Sequence, residues 1–342
     1  MPQNFVIKSK NWRVQTMSDN VIISSRVRLA RNLADYPFPC RMTDAQRKEV
    51  VEKVFAAVKT LPDDFMLVNM EDINELDTIA MVERHLISPE FAKDVTGRAL
   101  AVTKDESISI MINEEDHLRI QVIKQGLSVA QAYEIADRID TALNRELHFA
   151  FDNKLGYLTQ CPTNLGTGMR ASVMLHLCAM GETHAVSRIS GNLAKLGFVI
   201  RGTYGEGSDA SGALYQLSNQ VTLGISEKSA VENLTNICNQ LVQSEMATRG
   251  RLMESMEYQD KISRSMGILL TARLITHAEA VRLLSNVRLG ITEGIVEDVS
   301  IETIDNLMLS IQPASLMRRE GKRLTPSERD KARAELIRTT LR

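Results

Sequence analysis

The chain has 342 residues, 44% apolar and 25% charged, enough for about two domains with real cores. A net charge of −2 gives no global pull towards nucleic acid or a membrane surface. No apolar run reaches the roughly 18 to 20 residues of a membrane span. The first residues, Met1-Pro2-Gln3-Asn4-Phe5, lack the charged-then-apolar pattern of a secretory signal. Cys40, Cys161, Cys178 and Cys238 are scattered without a Cys-x-x-Cys, so neither a zinc site nor a disulfide framework is expected. The expected compartment is the cytoplasm.

Residues 1 to 20 are mixed in character and are set apart as an N-terminal segment. From Ser25 to Leu29 polar and apolar residues alternate, placing Arg26 and Arg28 on one face of a strand. Neighbouring arginines repel unless an anion lies between them; a solvated basic face is the other reading. Thr43-Asp44-Ala45-Gln46 is a capping box for a helix with Val50, Val51, Val54, Phe55 and Val58 inside. A short helix is expected over 77–87. Alternation at 98–103, 107–112 and 118–123 predicts an antiparallel meander of half-buried strands.

Between the last two strands lies Asn113-Glu114-Glu115-Asp116-His117-Leu118-Arg119. Adjacent carboxylates raise one another's pKa and need cations to face. A carboxylate can grip a planar guanidinium through two parallel hydrogen bonds. On this heptapeptide alone, a solvated acidic turn remains an open alternative.

Ser128 is expected to cap a long helix with Val129, Tyr133, Ala136, Ile139, Leu143 and Leu147 inside. Loop and strand follow over 149–158. A helix is expected from Ser172 to Met180, strands over 197–204 and 213–223, and a helix opening at Ser226. Beyond about residue 255 strand signals stop. Thr276-His277-Ala278-Glu279 and Thr325-Pro326-Ser327-Glu328 are capping boxes, the second with Pro at the first helical position. The expected architecture is α+β: an antiparallel sheet flanked by helices over 21–254, then an all-helical unit over 255–342.

Gly166-Thr167-Gly168-Met169-Arg170-Ala171 and Gly205-Glu206-Gly207-Ser208-Asp209-Ala210 both fit Gly-x-Gly-x-x-Ala. The second leads into a strand, so it lacks the helix dipole that a dinucleotide site uses. The first has no acid closing a second strand about twenty residues on. A P-loop sequence is absent. What remains is a set of arginines on strands or glycine-rich turns: Arg26, Arg28, Arg119, Arg170 and Arg201. Several guanidinium forks can neutralise a nucleoside triphosphate without a P-loop, and Glu115 and Glu206 would face them. Phosphoryl transfer needs both halves.

Four blocks, in order, resemble the signatures of the guanidino (phosphagen) kinase family. They are Ser24-Ser25-Arg26-Val27-Arg28, the heptapeptide 113–119, Cys161-Pro162-Thr163-Asn164-Leu165-Gly166-Thr167 and Arg201-Gly202-Thr203-Tyr204-Gly205-Glu206. The resemblance implies Mg-ATP and a guanidinium acceptor, with the magnesium held by phosphates and water rather than by protein ligands. It implies a nucleotide site of Ser24, Ser25, Arg26, Val27, Arg28, His85, Arg119, Arg170, Ala171, Ser172, Val173, Met174, Arg201, Gly202, Thr203, Tyr204, Gly205 and Glu206. By the same match Glu115 and Glu206 grip the guanidinium and Cys161 lies beside it. A guanidinium attacks only if a base takes a proton, and Glu115 is the expected base. Cys161 precedes a turn and helix start, where a thiolate is favoured. His148, His176, His184 and His277 are expected to be structural.

Small-molecule guanidino kinases carry a helical domain ahead of the Ser-x-Arg-x-Arg block; here that block begins at Ser24, so an open acceptor side is expected. That start and the helical tail resemble the bacterial protein-arginine kinases of the family. In that branch Arg329-Asp330-Lys331-Ala332-Arg333-Ala334 matches a phosphoarginine-binding motif, assigning Arg329, Asp330, Arg333 and Ala334 to an allosteric site. The other reading is a surface Asp330–Arg333 salt bridge. Nine basic and four acidic residues from Pro313 to Arg342 suit an anionic ligand. The resemblance further implies arginine-containing protein substrates, a stress-response role, a Clp-type protease, a heat-shock repressor and an activator protein as partners. The tail is expected to form a homodimer.

Overall fold

The computed structural model describes residues 20–202 and 210–342. β1 (Ile22–Arg31) leads to α1 (Asp44–Val58), β2 (Phe65–Asn69), α2 (Glu75–Glu83) and α3 (Pro89–Lys93). The meander β3 (Ala99–Thr103), β4 (Ile108–Ile112), β5 (Leu118–Gln125) follows, then α4 (Val129–Leu147) and a small ribbon of β6 (Phe151–Asp152) and β7 (Gly156–Tyr157). Next come β8 (Met169–His176), α5 (Cys178–Glu182), α6 (Ala185–Lys195), β9 (Phe198–Gly202), β10 (Leu214–Asn219) and α7 (Glu227–Met253). The rest is helical: α8 (Met256–Thr271), α9 (His277–Thr292), α10 (Ile301–Ser310), α11 (Pro313–Glu320) and α12 (Pro326–Thr340). No helix among the described residues is long and apolar enough to cross a membrane.

Eight strands form one antiparallel sheet in the order β2-β3-β4-β5-β1-β8-β10-β9. β1 is central because its two faces carry different chemistry. Val27 and Leu29 point into the main core with Ile120 and Val122 of β5 and Ala171 and Val173 of β8. Helices α1, α4 and α7 cover that face, and α4 buries Val129, Ala136, Ile139, Leu143 and Leu147 at the expected spacing. Ser128 starts α4, but its hydroxyl donates to Gln125 O (2.9 Å) instead of capping the helix.

Two expectations about the strands need correction. Residues 172–176 are strand, not helix: β8 runs to His176 and the short α5 follows, because Ser172 to Leu175 pair with β1 and β10. β4 is buried on both faces rather than half-buried. Leu86, Ile87 and Phe91 cover its second face against Met111, and the buried Ser109 finds Leu86 O (3.0 Å) and Gln121 Nε2 (3.1 Å). The Gly166 and Gly168 pair serves packing. A Cβ at Gly166 would stand 2.2 Å from Thr222 O, and one at Gly168 2.6 Å from Arg31 Nη1. Both have positive φ, 106° and 61°.

The C-terminal helices have a core of their own, which takes in Leu214 of β10 and the partly buried Ile23 and Met174. Polar ties join it to the sheet. His176 Nε2 meets Ser285 Oγ (2.8 Å), and Arg288, paired with Asp305 of α10 (2.8 Å), donates to Asn20 O (2.8 Å) just before β1. Both capping boxes at Thr43 and Thr325 form, whereas at Thr276 the Glu279 N bond to its hydroxyl (3.3 Å) is the half that is present.

Arg249 is fully buried on α7. It pairs with Glu245 (2.7 Å) and donates to His176 O (2.9 Å), while Glu245 caps α5 through Ala179 N and Met180 N. Arg249→Met leaves the Glu245 charge uncompensated and should destabilise the fold by about 3–5 kcal/mol. Urea unfolding of wild type and variant reads this directly; a loss under about 1 kcal/mol would make the pair energetically neutral.

Candidate active site

The sheet's second face gathers the arginines. Register places Arg28 opposite Arg170 of β8 and Gln121 of β5, Arg26 opposite Ser172, Arg119 opposite Ala30, and Arg201 opposite Gln216. Arg26 donates to Ser172 Oγ (3.4 Å) and Gln216 Oε1 (3.1 Å), and Arg170 to Ser218 Oγ (3.1 Å). The Nε atoms of Arg28 and Arg170 are buried without a partner among the described residues. Burial, then the charges of Arg170 and Arg119, lower the Arg26 pKa to about 10. Burial and Arg26, Arg119 and Arg170 push Arg28 well down, opposed by Glu114. Burial, then Arg201 and Arg119, lower Arg170. Crowded cations with unmet donors suit a polyanion.

The acidic bend abuts this face. Asn113 takes a positive φ of 64°, closes the turn by Asn113 N to His117 O (2.9 Å), and sends its amide to Gly97 O (2.8 Å) and Arg47 O (3.0 Å). Asp116 is held by Asn32 Nδ2 (2.6 Å) and Gln160 N (2.8 Å), and Asn32 Oδ1 also receives His117 N (2.9 Å). Glu114 accepts from Ser88 Oγ and pairs with Arg119 Nη1 (2.5 Å). Glu115 meets Arg119 Nη2 (3.3 Å) with its side chain 38% exposed, so it can still face a ligand. Burial and the neighbouring Asp116 raise its pKa above the ordinary glutamate value; Arg119 and a hydrogen bond with Cys161 oppose the rise. Cys161 precedes a single 3-10 turn at Pro162–Asn164, and its sulfur lies 3.0 Å from Thr163 Oγ1. Glu114, Glu115, Arg119, Ser88, Gln160 and Arg98 line part of a cleft of about 400 Å³.

The remaining expected residues divide by the strand alternation. Ser24 and Ser172 share the arginine face. Val27, Ala171 and Val173 point into the helix-covered core, so the main chain is all they could offer a nucleotide. Ser25 is buried and bonds Gly126 O (2.7 Å). Met174 packs at the edge of the C-terminal core. His85 stands near Arg26; burial and that charge lower its pKa to about 4, so it is neutral at pH 7. Arg201 is exposed, Gly202 ends β9, and Thr203, Tyr204, Gly205 and Glu206 lie outside the described residues. On α12, Arg329 is half-buried while Arg333 and Ala334 are buried. Arg333 donates to Ile311 O (3.1 Å), Ile275 O (2.9 Å) and Asp330 Oδ1 (2.6 Å). The Asp330–Arg333 pair therefore forms, but not as a solvated surface bridge.

Sequence reasoning missed Gln216 and Ser218, which hold the arginines from β10, and Asn32 and Ser88, which hold the acids. Each is a polar residue on a strand, or just beyond a strand or helix end, and only strand register brings it to the site.

Residues 46–248 match the family model of the ATP:guanido phosphotransferase C-terminal catalytic domain, and 255–342 that of the protein-arginine kinase McsB C-terminal domain. The protein-arginine kinase of Symbiobacterium thermophilum is 46% identical over 94% of this chain and 93% of its own length. The chain belongs to the protein-arginine kinase family. Another member, from Brevibacillus brevis, is 45% identical over 97% of this chain and 95% of its own length. Among solved structures, lombricine kinase superposes with a TM-score of 0.60 at 26% identity, covering 67% of each chain. The duplicated taurocyamine kinase from Schistosoma mansoni, with bound transition state analog components, gives 0.61 at 25%, covering 93% of this chain and 42% of that one. The antiparallel sheet with flanking helices is thus the guanidino kinase fold, and the helical region that follows it matches the protein-arginine kinase C-terminal domain model.

The arginine face makes a graded prediction. Arg119→Ala or Arg201→Ala should weaken ATP more than AMP, as expected if the lost charge faces the outer phosphates. Calorimetric titration of both nucleotides measures it; equal losses would move these side chains away from the triphosphate.

Proposed function

We propose that the chain transfers the γ-phosphoryl group of ATP to a guanidinium nitrogen of arginine side chains in proteins. The observation that carries this reading is the junction at Arg119. There a polycationic sheet face, whose buried Arg28 and Arg170 Nε atoms find no partner among the described residues, adjoins the acidic bend, and Arg119 lines one cleft with Glu114 and Glu115. Arg26, Arg28, Arg119, Arg170 and Arg201 hold the phosphates, and magnesium enters with ATP, coordinated by phosphates and water.

The acceptor guanidinium lies against Glu115, with Glu206 on its other edge and Cys161 beside it. As the N–P bond forms, Glu115 takes the nitrogen's proton and the bond from phosphorus to the β–γ bridging oxygen breaks, releasing ADP. The arginines stabilise the charge that spreads over the transferring group. The raised pKa of Glu115 suits a base better than that of an unperturbed glutamate.

Glu115→Gln keeps shape and removes basicity. Turnover on an arginine-rich protein should fall by roughly 10² to 10⁴ while ATP affinity is kept. In the wild type, activity should drop as pH falls through the raised Glu115 pKa, with an acid limb above the ordinary glutamate value of about 4.3. Near-wild-type turnover in the variant would remove Glu115 as the base. Acid-labile phosphate on casein, with free arginine run alongside, checks the acceptor: product on free arginine alone would assign a small-molecule kinase.

Family membership supports a role in stress response and protein quality control in the cytoplasm. A Clp-type protease, a heat-shock repressor and an activator protein are the corresponding partners. Exposed Met256 and Leu274, 74% and 60% accessible, support a homodimer through the C-terminal helices. Arg329, Asp330, Arg333 and Ala334 form the proposed allosteric phosphoarginine site, with the half-buried Arg329 as the cation next to Asp330. Arg333 also holds two carbonyls, so Arg329→Ala is the cleaner test. Phosphoarginine affinity should drop tenfold or more, about one charge-assisted hydrogen bond, with basal turnover intact. Unchanged calorimetric isotherms would remove the regulatory site and leave the kinase reading standing.

A further inference from the structure

Glu83 is the last residue of α2, where its charge is locally unfavourable. The C-terminal end of a helix repels an anion, and α2 has no basic residue in its last turn. Its carboxylate finds partners on another element. Oε1 accepts from Ala314 N (2.7 Å), and Oε2 from Ser315 N (2.8 Å) and Ser315 Oγ (2.9 Å). These groups open α11, whose own N-cap residue Gln312 makes no side-chain cap bond. A carboxylate 231 residues away in sequence supplies the cap instead. Arg318 with Asp77 (3.1 Å) joins the same two helices, and Arg323 in the loop after α11 meets Glu75 of α2 (2.6 Å), but those pairs are exposed and weak.

The chain that follows Glu83 enters the active site at once. His85 takes a positive φ of 61°, and its carbonyl receives Gln121 Nε2 (2.8 Å) from the arginine face. Ser109 Oγ holds Leu86 O (3.0 Å), and Ser88 holds Glu114, which holds Arg119. Five residues therefore connect an inter-domain contact to His85 at one side of the arginine cluster and to Arg119 at the other. On the far side, α11 begins just after Ile311, whose carbonyl receives Arg333 Nε (3.1 Å).

We propose that Glu83 is a positioning residue for the nucleotide site. By capping α11 it fixes α2 and residues 84–88, and so sets His85 against Arg26 and the Ser88–Glu114–Arg119 chain against the phosphates. The C-terminal helices thereby tune how tightly ATP is held. This rests on the assignment of ATP to the arginine face.

The test measures KM for ATP, kcat on casein and Tm for Glu83→Gln, Glu83→Ala and the charge-retaining Glu83→Asp. Arg318→Ala is the control, since it breaks an exposed contact between the same helices. Glu83→Gln and Glu83→Ala should raise KM for ATP about tenfold, the size of one lost charge-assisted hydrogen bond. Their kcat at saturating ATP should stay within about twofold. Glu83→Asp should fall between them and the wild type, and it carries the test if Glu83→Ala does not fold. Arg318→Ala should match the wild type. A lowered Tm with unchanged KM would make Glu83 a helix cap alone and overturn the proposal, as would a fall in kcat with KM unchanged. If the wild type phosphorylates casein and the Glu83 variants match it, only the positioning role falls. A wild type that neither binds ATP nor phosphorylates casein removes both readings.

Discussion

Like charges gathered on one face of a sheet set the terms for the rest of the structure. Burial and the charges of neighbouring arginines lower the pKa values of Arg26, Arg28 and Arg170, and the neutral partners on β8 and β10 do not cancel their charge. Such an arrangement survives only if the backbone beneath it is fixed by something stronger. β1 and β8 are fixed by pairing on both edges and by an apolar opposite face under α4 and α7. The sheet's other side is thus the source of the stability that the arginine face forgoes. This division follows from the two-residue period of a strand, which lets one segment be core on one side and site on the other.

The acids face the same problem with the opposite sign. Three consecutive carboxylates at a bend repel, and each is answered separately. Glu114 goes to Arg119 and Ser88, Asp116 to Asn32 and Gln160 N, and Glu115 keeps a weaker contact with Arg119. The residue with the loosest hold is the one with room to serve a ligand. Asp116 also joins the bend to the loop carrying Cys161, so Glu115 and Cys161 are positioned by one buried carboxylate.

Much of this was legible because strand alternation and capping chemistry are local. The pairs Arg26–Arg28 and Glu114–Glu115, the helix stripe of α4 and the caps at Thr43 and Thr325 required no partner segment to be recognised. The misreadings arose where a distant element decides. Ser172 to Leu175 carries small and apolar residues that fit helix or buried strand, and pairing with β1 and β10 settles it. Ser109 reads as a solvent-facing position until Leu86 and Gln121 cover it. Ser25 and Val27 sit inside a motif block, but the pleat turns their side chains away from the site. A motif match assigns a segment to a site; the register assigns each side chain to one face of it.

Arg333 and Glu83 show the same limit for charge. Arg333 reads as half of an ordinary i,i+3 pair, and Glu83 falls unremarked inside the helix expected over 77–87, whereas the structure ends α2 at it. Each is explained by backbone groups of another element: Arg333 by the carbonyls of Ile275 and Ile311, Glu83 by the opening amides of α11. Backbone donors and acceptors at helix ends are invisible to composition, yet when buried they need partners as firmly as side chains do. The C-terminal helices therefore add more than an appended core. Their unsatisfied ends are completed by charges from α2 and α12, and the chain leaving α2 carries His85 to the arginine face and Ser88 to the acidic bend. Domain contact and active-site geometry are in this way built from the same few hydrogen bonds.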